Sequence, residues 1–104
     1  MYQVLYQPAA QDDLEEIVRF LAEPPHNLKA ARRFVSRMIL EADALSEHPY
    51  RSTVLYPVRP LSREYRSILI HHYRIFFTVE ERRKRVEIAR ILYDRPVHPS
   101  GTRR

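Results

Sequence analysis

The sequence predicts an α+β domain in which an N-terminal strand and an α-helical hairpin pack on one face of an antiparallel sheet of three to four strands. In the C-terminal half, three consecutive short runs are rich in Ile, Val, Tyr and Phe and predict strands. In the N-terminal half, two stretches repeat their apolar residues at helical spacing. Because a helix pair and a sheet each need a partner face, we expect the hairpin to lie across the sheet in two layers.

Near the N-terminus the sequence predicts a strand and then a helix. Residues 2–6 favour a short strand, since Tyr and Val suit a half-buried pleated surface. Pro8 fits the first turn of a helix, and we predict that helix over residues 9–22. Pro24 and Pro25 end it. Its apolar residues fall on one face and are Ala10, Leu14, Ile17, Val18 and Leu21.

A second helix is predicted over residues 28–46, with Asn27 as its N-cap. Its apolar face is formed by Ala31, Phe34, Val35, Met38, Ala42 and Leu45. The short Pro-rich connection between the two helices makes them an antiparallel hairpin. Neither helix can bury its apolar face alone, so both faces are predicted to pack on the sheet.

The C-terminal half predicts an antiparallel meander of strands over residues 65–70, 73–79 and 86–93. A tight turn at His71 and His72 and a solvated charged turn over residues 80–85 would connect them. A further short strand is predicted within residues 53–58. In the middle strand, alternation places Ile75, Phe77 and Val79 on one face and Arg74, Phe76 and Thr78 on the other.

Length and composition limit the class of protein. A chain of 104 residues suits one domain with one core, to which we assign residues 1–96. Residues 97–104 are predicted to form a flexible basic tail.

The absence of cysteine excludes disulfides and Cys nucleophiles and fits a reducing cytoplasm. With no secretory signal pattern and no apolar run near the ~20 residues that span a bilayer, we expect a cytoplasmic protein that does not bind membranes.

Charge is divided unevenly along the chain. Residues 1–48 contain 5 Lys+Arg and 8 Asp+Glu, whereas residues 49–104 contain 13 and 5. The basic half suggests a polyanionic partner, either nucleic acid or an acidic protein, although an ordinary solvated surface has the same composition. The basic residues that would contact such a target are Arg59, Arg63, Arg66, Arg82, Arg83, Lys84, Arg85 and Arg95.

Several short motifs, in a fixed order, resemble those of the RelE/ParE toxin superfamily of type II toxin-antitoxin modules. They are AxxDLxxI over residues 10–17, AARRFVSRM over 30–38, YRIFF over 73–77 and IxRILYxR over 88–95. The similarity extends over residues 2–96. It implies a small cytoplasmic toxin of the plasmid-stabilisation type, which arrests growth and is neutralised by a cognate antitoxin in a toxin–antitoxin hetero-oligomer.

The resemblance implies one of two activities. RelE-like members cleave mRNA on the ribosome with an arginine on the sheet and a Tyr or His near the C-terminus. In this chain the corresponding residues would be Arg74, Tyr93 and His98. Such cleavage needs a base, a cation that stabilises the phosphorane and an acid. ParE-like members block DNA gyrase and lack a comparable catalytic set. We favour the ParE-like activity, because Tyr93 stands where RelE-like members carry a basic residue and no Lys-rich run precedes the sheet. A third alternative is an inactive member that only binds its antitoxin.

Each candidate also has a structural interpretation. Arg74 could simply pair across strands, and Tyr93 could be a half-buried strand aromatic.

The antitoxin would dock on apolar surface that the packing of the helices leaves exposed. The candidates for this surface are Leu14, Val18, Leu21, Phe34 and Met38, although these side chains are expected to be core residues first. The five histidines are scattered, so we expect neither a metal site nor a cofactor.

Overall fold

The computed structural model describes residues 1–23, 27–51, 53–54 and 64–94. Its helices and strands are, in chain order, β1 (Gln3–Tyr6), α1 (Pro8–Ala22), α2 (Leu28–Ala42), β2 (Thr53–Val54), β3 (Arg66–Ile70), β4 (Tyr73–Glu80) and β5 (Arg85–Tyr93). The predicted α+β class is confirmed. Of the strand predicted within residues 53–58, the structure describes the first two residues, and residues 95–104, with the predicted tail, lie outside the described part.

The strands form one sheet in the order β1-β5-β4-β3-β2. Neighbouring strands from β2 to β5 are antiparallel, as predicted, but β1 runs parallel to β5 with Val4 opposite Val86. The sheet is therefore mixed, and not purely antiparallel as we expected. A parallel neighbour needs a long crossover, and here the whole hairpin and three strands separate β1 from β5 in the chain.

The helix ends follow from their local sequence. Pro8 occupies the start of α1, and the Asn27 side chain accepts a hydrogen bond of 2.7 Å from the Ala30 N–H at the start of α2. α2 ends at Ala42, four residues earlier than predicted, because Asp43–Ser46 tightens into a single 3-10 turn. No helix in the part of the chain that the structure describes is long and apolar enough to cross a membrane.

Two tight turns join the three long strands. In the β3–β4 turn, His71 and His72 have φ of 50° and 71°, the left-handed values that a two-residue hairpin turn requires. The His71 Nε2 lies 2.5 Å from Glu41 Oε2, and its ring packs 5.7 Å from that of Phe34. Contacts from α2 therefore support this turn in a conformation that is uncommon for residues other than glycine.

The core lies between the hairpin and one face of the sheet. Its most completely buried large side chains are Phe77, Met38, Ile75, Ile88 and Val86. α1 packs on β5 and α2 on β3 and the start of β4. The predicted alternation of β4 is confirmed, because Ile75 and Phe77 enter this core while Arg74 points to the other face.

One irregularity changes the geometry of the sheet. In the pairing of β4 with β5, Phe77 lies opposite Ile88, but the preceding residue of β4, Phe76, lies opposite Arg90. β5 therefore carries one extra residue, Ala89, between these two pairs. This β-bulge shifts the register of the rest of β5 by one. Since side chains alternate between faces, every β5 side chain beyond the bulge is moved to the opposite face from the one that a regular ladder would give.

Candidate functional site

Arg74, the proposed sheet cation, lies on the face of β4 that the helices do not cover. Its Nε donates to Asp94 Oδ1 at 3.2 Å, and its NH1 donates to the Ser67 hydroxyl at 3.1 Å. Across the strands it faces Leu69 and Leu92. Its guanidinium is thus fixed by two polar neighbours and remains partly exposed.

Tyr93, the proposed acid or base, lies on the opposite face. It pairs with Tyr73, and their ring centroids are 5.5 Å apart at an interplanar angle of 75°. Without the bulge at Ala89, Tyr93 would share the face of Arg74; with it, the two side chains point away from each other. The structure therefore does not bring Arg74 and Tyr93 together. The third candidate, His98, lies outside the described residues.

The basic candidates are mostly engaged or dispersed. Arg59, Arg63 and Arg95 lie outside the described residues. Arg66 ion-pairs with Glu64 at 3.3 Å and stacks over the Tyr50 ring at 4.8 Å, which leaves little of its side chain exposed. The remaining four, Arg82, Arg83, Lys84 and Arg85, surround the β4–β5 turn.

Glu81 organises that turn. Its carboxylate accepts hydrogen bonds from the hydroxyls of Tyr2, at 2.5 Å, and Tyr50, and from Lys84 Nζ at 2.9 Å. The hydrogen bonds from Tyr2, Tyr50 and Lys84 lower the pKa of Glu81 to about 2. Part of the basic turn is therefore neutralised, and its role includes fastening β1 to the segment after α2.

Asp13 closes the edge of β5 where β1 stops. The pairing of β1 with β5 ends at Ile88, and beyond it Asp13 Oδ2 accepts the Ile91 N–H at 2.8 Å. The same carboxylate binds Arg90 through two hydrogen bonds of 2.8 and 2.9 Å. Burial acts to raise the pKa of Asp13, but the hydrogen bonds from Arg90 and Ile91 outweigh it and lower the pKa. Asp13 belongs to the AxxDLxxI motif, but its contact with β5 was not predicted.

An apolar groove of about 800 Å³ runs beside this contact, between the hairpin and the end of β5. We call it the apolar groove and define it by Phe20, Leu21, Phe34, Tyr73, Leu92 and Tyr93. Phe20 is 63% exposed and Tyr93 58% exposed. Exposed aromatic side chains around a concave apolar surface are typical of a site for another protein chain.

The predicted antitoxin-binding residues fall into three groups. Leu21 and Phe34 line the apolar groove. Leu14 and Val18 are partly buried against the core. Met38 is only 1% exposed, so its side chain is core and offers no surface to a partner, which corrects our expectation. The prediction missed Phe20, although it lies one turn after Ile17, next to Leu21 in α1.

The described residues also include side chains of the kinds that can hold a metal ion. Across residues 1–23, 27–51, 53–54 and 64–94, no group of three or more His, Cys, Asp or Glu side chains is placed to hold a metal ion.

Comparisons with known proteins agree with this architecture. The chain matches the family model described as ParE toxin of type II toxin-antitoxin system, parDE, over residues 4–96. No curated protein sequence matches it.

Solved structures share the fold at low sequence identity. The chromosomal ParDE toxin-antitoxin system from P. aeruginosa aligns with a TM-score of 0.74 and 16% identity, over 91% of this chain and 98% of that one. The RelBE2 toxin-antitoxin complex from Mycobacterium tuberculosis gives 0.62 and 22% over 88% and 96%. The isolated E. coli RelE toxin gives 0.53 and 11% over 92% and 87%. With a family model covering nearly all of its length, the chain belongs to the ParE toxin family of type II toxin-antitoxin systems.

Proposed function

We propose that this toxin arrests growth by blocking DNA gyrase as a binding protein, and that it is not a ribonuclease. The observation that carries the proposal is the placement of Arg74 and Tyr93 on opposite faces of the sheet. Metal-free RNA cleavage requires a cation and an acid or base within reach of one phosphate. A protein that inhibits by binding requires no such convergence.

The contacts of Arg74 support the same proposal. Its guanidinium donates to Ser67 and Asp94, so part of its charge and of its donor capacity is used within the fold. A cation that stabilises a phosphorane works best when its donors are free to meet the developing charge. RelE-like cleavage of mRNA on the ribosome is the alternative, and it would need an acid or base other than Tyr93, such as His98, to act with Arg74.

Purified toxin added to gyrase and relaxed plasmid tests the proposal. We expect inhibited supercoiling, with Arg74→Ala and Tyr93→Phe each changing the inhibitory concentration by less than about tenfold, because neither residue would take part in chemistry. Induction in cells should stop DNA synthesis within minutes while mRNA stays intact. Early ribosome-dependent mRNA cuts, lost on Arg74→Ala, would instead establish the RelE-like activity. Growth unaffected by induction would identify an inactive member.

We further propose that the cognate antitoxin docks in the apolar groove. The groove combines exposed Phe20 and Tyr93 with the end of the outer edge of β5, beyond the Asp13–Ile91 hydrogen bond, along which no described strand pairs. An amphipathic helix or an added strand would cover such a surface. Aromatic side chains of this kind are the usual anchors of tight protein interfaces.

Replacing Phe20 separates antitoxin binding from toxicity. Phe20→Arg places a charge in the apolar groove, and we expect the toxin to remain active while co-expression of the antitoxin no longer restores growth. Leu40→Arg is the matched control, since Leu40 is exposed on the far side of α2 and outside the groove. If the antitoxin restored growth as completely with the Phe20→Arg toxin as with wild type, this docking site would be refuted.

A further inference from the structure

The outward face of α2 carries a row of positive charge. Lys29, Arg33 and Arg37 follow each other at intervals of four residues, so they lie on one face over about 12 Å of helix. All three are exposed, and the buried residues of α2 lie on the opposite side. We call these three residues the α2 basic stripe.

The stripe has no ion-pair partner among the described residues, since Glu41, the acidic residue four positions after Arg37, is bonded to His71. None of the three side chains forms an ion pair with any residue that the structure describes. From Leu28 to Leu40 the helix has four basic residues and no acidic one; the fourth, Arg32, lies on the flank beside α1. Like charges four residues apart repel each other, so the helix gains nothing from this arrangement by itself.

The β4–β5 turn is the other basic segment, and it differs in its surroundings. Residues 80–87 contain four basic residues but also three acidic ones. Lys84 is bonded to Glu81, and Arg85 lies 3.8 Å from Glu87. The turn is therefore close to neutral, whereas the three charges of the α2 basic stripe are unpaired within the part of the chain that the structure describes.

We propose that the α2 basic stripe binds the phosphate backbone of nucleic acid. Regularly spaced Lys and Arg on a rigid helix suit a linear polyanion, in which each contact releases counterions. A protein partner is a poorer match, because the stripe has no aromatic side chain to act as an interface anchor. The proposal is separate from the gyrase target and from the apolar groove, and it holds or fails independently of them.

Binding of the full chain to fluorescent duplex DNA, measured by anisotropy over a salt series, tests the proposal. Arg33→Gln/Arg37→Gln should weaken binding at least tenfold and reduce the slope of log affinity against log salt by about 2, one unit for each lost phosphate contact. Arg82→Gln/Arg83→Gln removes the same charge from the turn and should keep the wild-type slope. Arg33→Lys/Arg37→Lys retains the charges and should restore most of the affinity.

Further measurements identify the ligand of the α2 basic stripe. Duplex RNA of equal length shows whether DNA or RNA is preferred, and tighter binding of either supports the proposal. Circular dichroism of each variant verifies its fold. Two results would overturn the proposal directly: no binding of wild type to nucleic acid at about 50 mM salt, or equal weakening of binding by the α2 and turn variants. A third would be binding of poly-glutamate as tight as that of nucleic acid, with the same loss of affinity in Arg33→Gln/Arg37→Gln. That result would assign the stripe to an acidic protein.

Discussion

The two helices of the hairpin bury equivalent apolar faces but present opposite charges to solvent. α1 carries Asp12, Asp13, Glu15 and Glu16 against one Arg19. The α2 basic stripe has one acidic neighbour on its helix face, Glu41, whose carboxylate is bonded to His71. Two of the acidic side chains of α1 have partners within the fold, since Asp13 binds β5 and Glu16 pairs with Arg19 at 3.0 Å. The charges of the α2 basic stripe have no ion-pair partners among the described residues.

This contrast separates what holds the fold from what is free for a partner. The fold needs the inner faces of both helices and the Asp13 carboxylate, which binds β5. It does not need Lys29, Arg33 or Arg37, whose charges contribute no contact to the described structure. Removing a charge should therefore have opposite effects on stability in the two helices.

The largest expected effect is the loss of the Asp13 contact. Asp13→Ala leaves the Ile91 N–H without its acceptor at a partly buried site, and we expect the free energy of unfolding to fall by about 1–3 kcal/mol. Asp12→Ala is the matched control, because it makes the same substitution one position earlier at an exposed site. Urea unfolding of both variants gives the comparison. Equal losses would mean that the effect belongs to the helix and not to the contact with β5.

The same carboxylate predicts a pH dependence. The pKa of Asp13 is lowered in the folded chain, so the unfolded chain binds more protons in acid. The contribution of Asp13 to stability is complete above the unfolded pKa near 4 and is lost as the pH falls through the folded value. We expect wild type and Asp12→Ala to lose stability over this range more steeply than Asp13→Ala. Parallel curves for all three proteins would contradict the assigned hydrogen bonds.

How much the sequence predicts depends on whether the signal is local. The helices, the turn at His71 and the alternation of β4 follow from neighbouring residues, and they were predicted. The bulge at Ala89 follows no local signal, yet it decides which face Tyr93 occupies and so undoes the catalytic grouping with Arg74. The contact of Asp13 with Ile91 joins residues 78 positions apart, and a single sequence does not show it.

The α2 basic stripe was missed for a different reason. Counting charge by halves gave the N-terminal half an acidic balance, because the acidic residues of α1 outweigh the basic residues of α2. The spacing of Lys29, Arg33 and Arg37 was visible in the sequence all along. Charge counted along each predicted helix face would have found it.

The smallest expected effect has the opposite sign. Arg33 has a like charge four residues away on both sides, and Arg33→Gln should raise the free energy of unfolding by about 0.5 kcal/mol at low salt. For a domain of this size, that corresponds to a rise of about 2–4 °C in Tm. The gain should vanish near 1 M salt, where charges are screened beyond about 3 Å.

The counterpart in α1 is Glu16→Gln, which removes the ion pair with Arg19 and should lower Tm slightly at low salt. Scanning calorimetry of the two variants at low and high salt measures both signs in one experiment. Destabilisation by Arg33→Gln at low salt would reveal a stabilising partner for Arg33 within the chain. The α2 basic stripe would then be part of the fold, and its availability to nucleic acid phosphates would have to be abandoned along with the contrast between the helices.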